Sequence, residues 1–81
     1  MKLPRVTVRR YGGRWGVTDT GGDWILADFA LRQDAMDYAR ALAVAEGNSI
    51  VEEEDVQGRV ALRQLFSLEA SGIVRVRPIA E

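Results

Sequence analysis

The chain contains no cysteine and no histidine. Without cysteine it has no disulfide bond, no thiol nucleophile and no thiolate zinc site. Without histidine it has no imidazole base and no Ser-His-Asp triad. Only carboxylate, lysine, tyrosine or serine chemistry remains open to a catalytic site. We therefore expect a protein that is not an enzyme and that holds no cofactor and no metal.

Long apolar runs are also missing. No segment approaches the ~20 apolar residues that a membrane-spanning helix needs. The N-terminus, MKLPRVTVRR, lacks the apolar core of a signal peptide. We therefore expect a cytoplasmic protein that does not enter a membrane. With 81 residues, 47% apolar and 28% charged, the composition is that of a single globular domain over residues 1–81.

Residues 31–47 form the only convincing amphipathic helix in the sequence. On a wheel of about 100° per residue, six side chains share a stripe that is typical of a helix lying on a sheet. Half of them are alanines, which lets the helix backbone come close to its partner. Gly47 suits the helix end, whereas Leu31 offers no side-chain cap at the start. The stripe consists of Ala35, Met36, Tyr38, Ala39, Leu42 and Ala43.

Residues 1–30 predict a three-stranded antiparallel β-meander. The first two strands, 4–11 and 14–19, alternate apolar and polar residues and flank Gly12-Gly13, the chemistry of a tight hairpin. Residues 20–23 predict a second turn, followed by a third strand over 24–29. In that strand the sequence places Ile25, Ala27 and Phe29 on one face and Trp24 and Leu26 on the other.

Residues 48–81 predict two to three further strands. The first, 49–55, ends in Glu52-Glu53-Glu54-Asp55, which we interpret as a solvated strand end that discourages edge pairing. Residues 59–68 fit a strand better than a helix, because their apolar side chains scatter on a helical wheel. A last strand over 73–77 precedes Pro78, which suits a sheet edge. The expected fold class is α+β, with the helix packed on one face of the sheet.

Several short motifs follow one another along residues 5–59. They are Tyr11-Gly-Gly-Arg-Trp15-Gly-Val17, Phe29-x-x-x-x-Asp34-Ala35, Ala39-Arg40-x-Leu42-Ala43, Gly47 and Ile50-Val51. Together they resemble the DUF2188 family of small bacterial and phage domains. The resemblance implies a β-meander, a helix and a closing strand, but no activity, since that family is itself uncharacterised. Leu31 replaces the family's capping threonine, and residues 60–81 extend beyond the usual family length.

Trp24 and Leu26 are the candidate interaction surface. If both are exposed they form an apolar patch, whose ordinary explanation is a protein interface or a homodimer. Trp15, by contrast, is expected in the core. The favoured hypothesis is thus a small non-catalytic module for protein interaction or self-association.

The alternative hypothesis is a nucleic-acid-binding domain. Residues 1–18 carry five basic residues and no acid, and the meander would present Arg5, Arg9 and Arg14 from a three-stranded sheet backed by the helix. The basic ends of the chain form either a positive stripe or pairs with neighbouring acids, and we favour the pairs. The acidic run 52–55 lacks the ligand spacing of a calcium loop. The candidate nucleic-acid contacts are Arg5, Arg9, Arg10 and Arg14.

Overall fold

The computed structural model describes residues 3–19 and 24–79. It is an α+β fold with one helix and one sheet, as the sequence predicts. The sheet has six strands, three before the helix and three after it. In chain order the elements are β1 (Arg5–Tyr11), β2 (Arg14–Thr18), β3 (Ile25–Phe29), α1 (Arg32–Glu46), β4 (Ser49–Glu54), β5 (Val60–Leu68) and β6 (Val74–Pro78).

The two sets of strands form a single mixed sheet in the order β3-β2-β1-β4-β5-β6. All neighbouring strands are antiparallel except β1 and β4, which run parallel, with Val6 opposite Val51. The helix is the connection that brings the chain back beside β1 in the same direction. β4 therefore lies in the centre of the sheet, and β3 and β6 are its edges.

The helix begins and ends where the sequence indicates. Leu31 is extended and provides no side-chain cap, and Asp34 lies in the first turn. Gly47 has φ +91°, and its N–H bonds to the carbonyl oxygens of Ala43 and Val44 at 3.1 and 3.2 Å. Only glycine adopts this conformation without strain, so the helix stops there. No helix among residues 3–19 and 24–79 is long and apolar enough to cross a membrane.

The core lies between the alanine side of α1 and one face of the sheet. The predicted stripe is confirmed: Ala35, Met36, Ala39 and Ala43 are buried, and Tyr38 and Leu42 pack at the margins. The sheet contributes Val6, Val8, Val17, Val51 and Phe66.

The strand over residues 59–68 and the β1–β2 hairpin are also confirmed. Both turn glycines, Gly12 and Gly13, have positive φ, at 56° and 82°, as a tight hairpin requires. The predicted turn at 20–23 lies outside the described residues. At the opposite edge, β6 ends at Pro78, which occupies an edge strand as expected.

One face assignment in β3 is wrong. A register shift between Val17 and Thr18 pairs Val17 with Ala27 but Thr18 with Ile25, so one residue of β3 is extra. A bulge of this kind breaks the simple alternation of side chains. Ile25 consequently lies next to Gly16, where a Cβ atom would be 3.1 Å from its Cδ1. Because Gly16 alternates with Trp15 and Val17, Ile25 is on the side away from the helix.

We expect Ala39→Leu to lower the free energy of unfolding by about 1–3 kcal/mol, because the added atoms have no space between helix and sheet. Ala41→Leu is the matched control, since Ala41 is exposed on the same helix. Urea denaturation of both variants measures the difference. Equal stabilities would show that the alanine stripe does not form the helix–sheet contact.

Candidate nucleic-acid interface

The helix covers only one side of the sheet. We call the other side the open face, because no described element packs on it. Side chains alternate along each strand, and residues paired across strands share a face. Residues at odd spacings from the core residues of the sheet, and residues paired with them, therefore point to the open face. Six arginines do so: Arg5 and Arg9 on β1, Arg14 on β2, Arg63 on β5, and Arg75 and Arg77 on β6.

The register places these arginines side by side across the sheet. Arg63 lies opposite Glu52, and Glu52 lies opposite Thr7, midway between Arg5 and Arg9. Arg77 lies opposite Leu65, the neighbour of Ile50 on β4. Neighbouring strands are about 4.8 Å apart. The arginines therefore lie on both sides of β4, on four of the six strands, and β4 places Glu52 and the half-buried Ile50 between them.

Glu52 organises the centre of this surface. Its carboxylate is 2.5 Å from Nε of Arg63 and 3.5 Å from Nε of Arg5. The Glu52 side chain is only 5% exposed, whereas that of Arg5 is 49% exposed. The side chain of Arg63 is 21% exposed, so both arginine side chains are more exposed than the acid that they share. This trio keeps a net positive charge, and the positive side chains are the ones that reach solvent.

The environment predicted for the acidic run, residues 52–55, is therefore wrong. The sequence suggested a solvated strand end, but Glu52 and Glu53 are buried in the central strand of the sheet. Buried carboxylates persist only when they are paired with cations. Both are paired here, and the partners come from β1, β5 and the helix, which are distant in the sequence.

Glu53 points to the opposite face, towards the helix. Its two oxygens accept hydrogen bonds from Nε and Nη2 of Arg32, both at 2.5 Å. The hydrogen bonds from Arg32 to Glu53 raise the pKa of the Arg32 guanidinium above its ordinary value. This bidentate pair fixes the first turn of α1 to β4. Since Glu52 and Glu53 point to opposite faces, they cannot act together as a catalytic carboxylate pair.

Asp55 ends the acidic run with a structural role. Its Oδ1 accepts hydrogen bonds from the backbone N–H groups of Gln57 and Arg59, at 2.8 and 3.0 Å. The aspartate thus closes the turn between β4 and β5, which also contains Gly58 with φ +79°. Among the residues that the structure describes, no group of three acidic side chains is arranged to hold a metal ion.

Ion pairs neutralise part of the open face. Arg14 bonds to Asp28 at 2.5 Å, and Arg75 bonds to Glu69. Arg77 makes no ion pair within the described residues and is exposed. Glu52 lies on this face, and Glu54 does so by alternation. With Asp28 and Glu69, the described part of this face therefore carries four carboxylates against six arginines. Both predicted arrangements are thus present: pairs form, but positive charge remains in excess.

Three of the four candidate arginines from the sequence lie on the open face, namely Arg5, Arg9 and Arg14. Arg10 does not. It alternates to the helix side, where its guanidinium carbon lies 5.0 Å from the ring centroid of Trp15. That distance is within the range of a cation–π contact. Trp15 itself packs against the margin of the core, as expected.

Trp24 and Leu26 are both exposed, at 75% and 43%. Trp24 immediately precedes β3 and Leu26 lies within it, at the edge of the sheet, and the intervening strands separate both from the arginines of β5 and β6. An exposed tryptophan at a sheet edge fits an interaction surface. Their exposure meets the condition under which the sequence predicts an apolar patch, but it does not identify a partner.

The list of candidate contacts from the sequence omitted four members of the surface: Tyr11, Arg63, Arg75 and Arg77. Tyr11 is 53% exposed at the end of β1 and alternates with Arg9 on the open face. The signal was present in the alternating patterns of β1 and β6. What the sequence lacked was the pairing of β1 with β4, which joins the two basic ends of the chain in one surface.

Comparison with known proteins adds no assignment. No protein-family model matches the chain, and no curated protein or solved structure matches it either. The resemblance to the DUF2188 family therefore stays a sequence-based expectation.

We expect Glu52→Gln to lower the free energy of unfolding by about 1–3 kcal/mol, because it leaves two arginines without their shared, buried partner. Glu54→Gln is the matched control, since Glu54 is on the same strand and face and has no ion pair within the described residues. For this control a change within about 0.5 kcal/mol is expected. Urea denaturation compares the two, and equal losses would contradict the role of Glu52.

Proposed function

We propose that the protein is a non-catalytic nucleic-acid-binding domain that uses the open face of its sheet. The observation that carries the proposal is the placement of six arginines on the one sheet face that the helix leaves uncovered. A guanidinium group matches the geometry of a phosphate and stacks on aromatic rings, so arginine is the residue best suited to such a surface.

The formal net charge of −1 argues against nucleic-acid binding only if the charge is evenly distributed. It is not. Asp34 and Asp37 are exposed on the outer side of the helix, away from the open face. Because the open face has an excess of arginines and the outer side of the helix carries exposed aspartates, a polyanion such as a nucleic acid approaches the open face more favourably.

The ion pairs on the open face are compatible with phosphate binding. Each described pair leaves its arginine partly exposed, and Arg75, at 72%, is far more exposed than its partner Glu69, at 40%. A carboxylate that holds a guanidinium group in place reduces the entropy that the side chain loses when it binds a ligand. The pairs therefore orient the arginines without removing them from the surface.

Neutralising two arginines of the open face should weaken binding to labelled oligonucleotides about tenfold or more at low salt. The variant is Arg9→Gln with Arg77→Gln. In addition, the slope of log affinity against log salt should become shallower by about 1.4–1.8, from two lost phosphate contacts. Fluorescence anisotropy with both single-stranded and duplex probes measures both effects.

The matched control is Arg40→Gln with Arg59→Gln, which removes the same charge from the helix and from the β4–β5 turn. It should bind within about twofold of the unaltered protein if the open face is the contact surface. Equal weakening by both double variants would show that net charge alone matters. Absence of binding at about 50 mM salt would remove the proposed function.

The exposure of Trp24 supports a second candidate function, self-association through the edge of β3. A two-fold axis beside this edge would bring Trp24 and Leu26 of two copies together, as an isologous dimer requires. The edge of β3 and the arginines of β5 and β6 are different parts of the molecule, so a dimer at this edge leaves Arg63, Arg75 and Arg77 uncovered.

If this edge forms a dimer, Trp24→Ser should shift the protein from dimer to monomer, because it removes the largest exposed apolar side chain. Val56→Ser is the control: Val56 is 84% exposed in the β4–β5 turn and should leave the oligomeric state unchanged. Size-exclusion chromatography with light scattering gives the mass directly. A monomeric parent protein at high concentration would contradict self-association.

A further inference from the structure

Tyr11 is an aromatic residue of the open face that lies outside the hydrophobic core. Tyr11 makes no ring contact with another aromatic residue and no hydrogen bond among the described residues. Tyr38, the other tyrosine, packs on Phe29 with ring centroids 5.5 Å apart. The two tyrosines thus have different environments: Tyr38 contributes to the core, whereas Tyr11 presents its ring to solvent.

Tyr11 is surrounded by the arginines of the proposed interface. Arg9 precedes it by two residues on the same face, and Arg14 lies directly opposite on β2. Gly16 lies diagonally opposite Tyr11 on β2. A Cβ atom at Gly16 would be 3.2 Å from Cβ of Tyr11 and 3.1 Å from Cδ1 of Ile25, so the Ile25 side chain occupies the space beside Gly16. The ring therefore stands beside an apolar floor and between two cations.

This arrangement discriminates between the two forms of a nucleic acid. A duplex buries the flat faces of its bases, so it offers no base for stacking on Tyr11, and its major groove, about 12 Å wide, admits a helix or a pair of strands but not a six-stranded sheet about 24 Å across. No described element projects from the open face, and α1 lies on the other side of the sheet with Asp34 and Asp37 outward. A single strand, by contrast, exposes its bases for stacking on aromatic side chains while arginines hold its phosphates.

We propose, on the basis of the proposed function, that the open face binds single-stranded nucleic acid in preference to duplex, with one base stacked on Tyr11 and the flanking phosphates at Arg9 and Arg14. The strand then continues across the sheet towards Arg63 and Arg77. From β2 to β6 this path covers four strand spacings, about 19 Å.

The test compares a labelled single-stranded probe of about 12 nucleotides, within the range of small single-strand sites, with the same probe annealed to its complement. The single strand should bind at least about tenfold more tightly. Tyr11→Leu should weaken single-strand binding about tenfold and leave duplex binding within twofold. Tyr11→Phe, which keeps the ring, should retain the affinity of the parent protein. RNA and DNA probes of the same sequence show whether the protein prefers single-stranded RNA or single-stranded DNA.

Val56→Leu is the control for an exposed apolar change outside the open face, and circular dichroism verifies that each variant is folded. Duplex binding as tight as single-strand binding, or an unchanged affinity of Tyr11→Leu, would overturn the inference while leaving the proposed function intact. Failure of both probes to bind at low salt would remove the proposed function together with the inference.

Discussion

The packing of one alanine-rich helix on one face of a six-stranded sheet is the constraint on which the rest of the structure depends. A helix of 15 residues is about 22 Å long and about 10 Å wide, and six strands extend about 24 Å across. One helix can cover the centre of one face, and it cannot cover the other. The uncovered face must remain compatible with water, and it does so with arginines. The same limit on burial that makes a small domain marginally stable thus leaves it with a broad polar surface.

The parallel pairing of β1 with β4 brings the basic ends of the chain together in the proposed binding surface. It places the acidic β4 between the basic β1 and β5, and Glu52 binds an arginine from each. Buried carboxylates at the centre and partly exposed guanidinium groups around them give the surface both order and positive charge. Stability and the proposed function therefore involve the same side chains, and Glu52 contributes to both.

Local elements were predictable because their signals are local. The alternation of apolar and polar residues predicted β1, β2 and β5, and Gly47 predicted the end of the helix. The misassigned features depend on contacts between distant segments. The register shift that moves Ile25 arises in the pairing of β2 with β3, and the burial of Glu52 and Glu53 arises from the central place of β4. Arg10 is different, since strict alternation with Val6 and Val8 already placed it on the helix side. For the site, the sequence indicated Arg5, Arg9 and Arg14, but the tertiary pairing alone joined them to β5 and β6.

The arginine side chains report on the central claim most directly. In a nuclear magnetic resonance titration with a single-stranded oligonucleotide, the Nε–Hε signals of Arg9, Arg63 and Arg77 should shift. Those of Arg32, beside Glu53, and Arg40, on the helix, should stay in place. Shifts at Arg32 and Arg40 with unchanged open-face arginines would show that nucleic acid binds on the helix side, and would contradict the account.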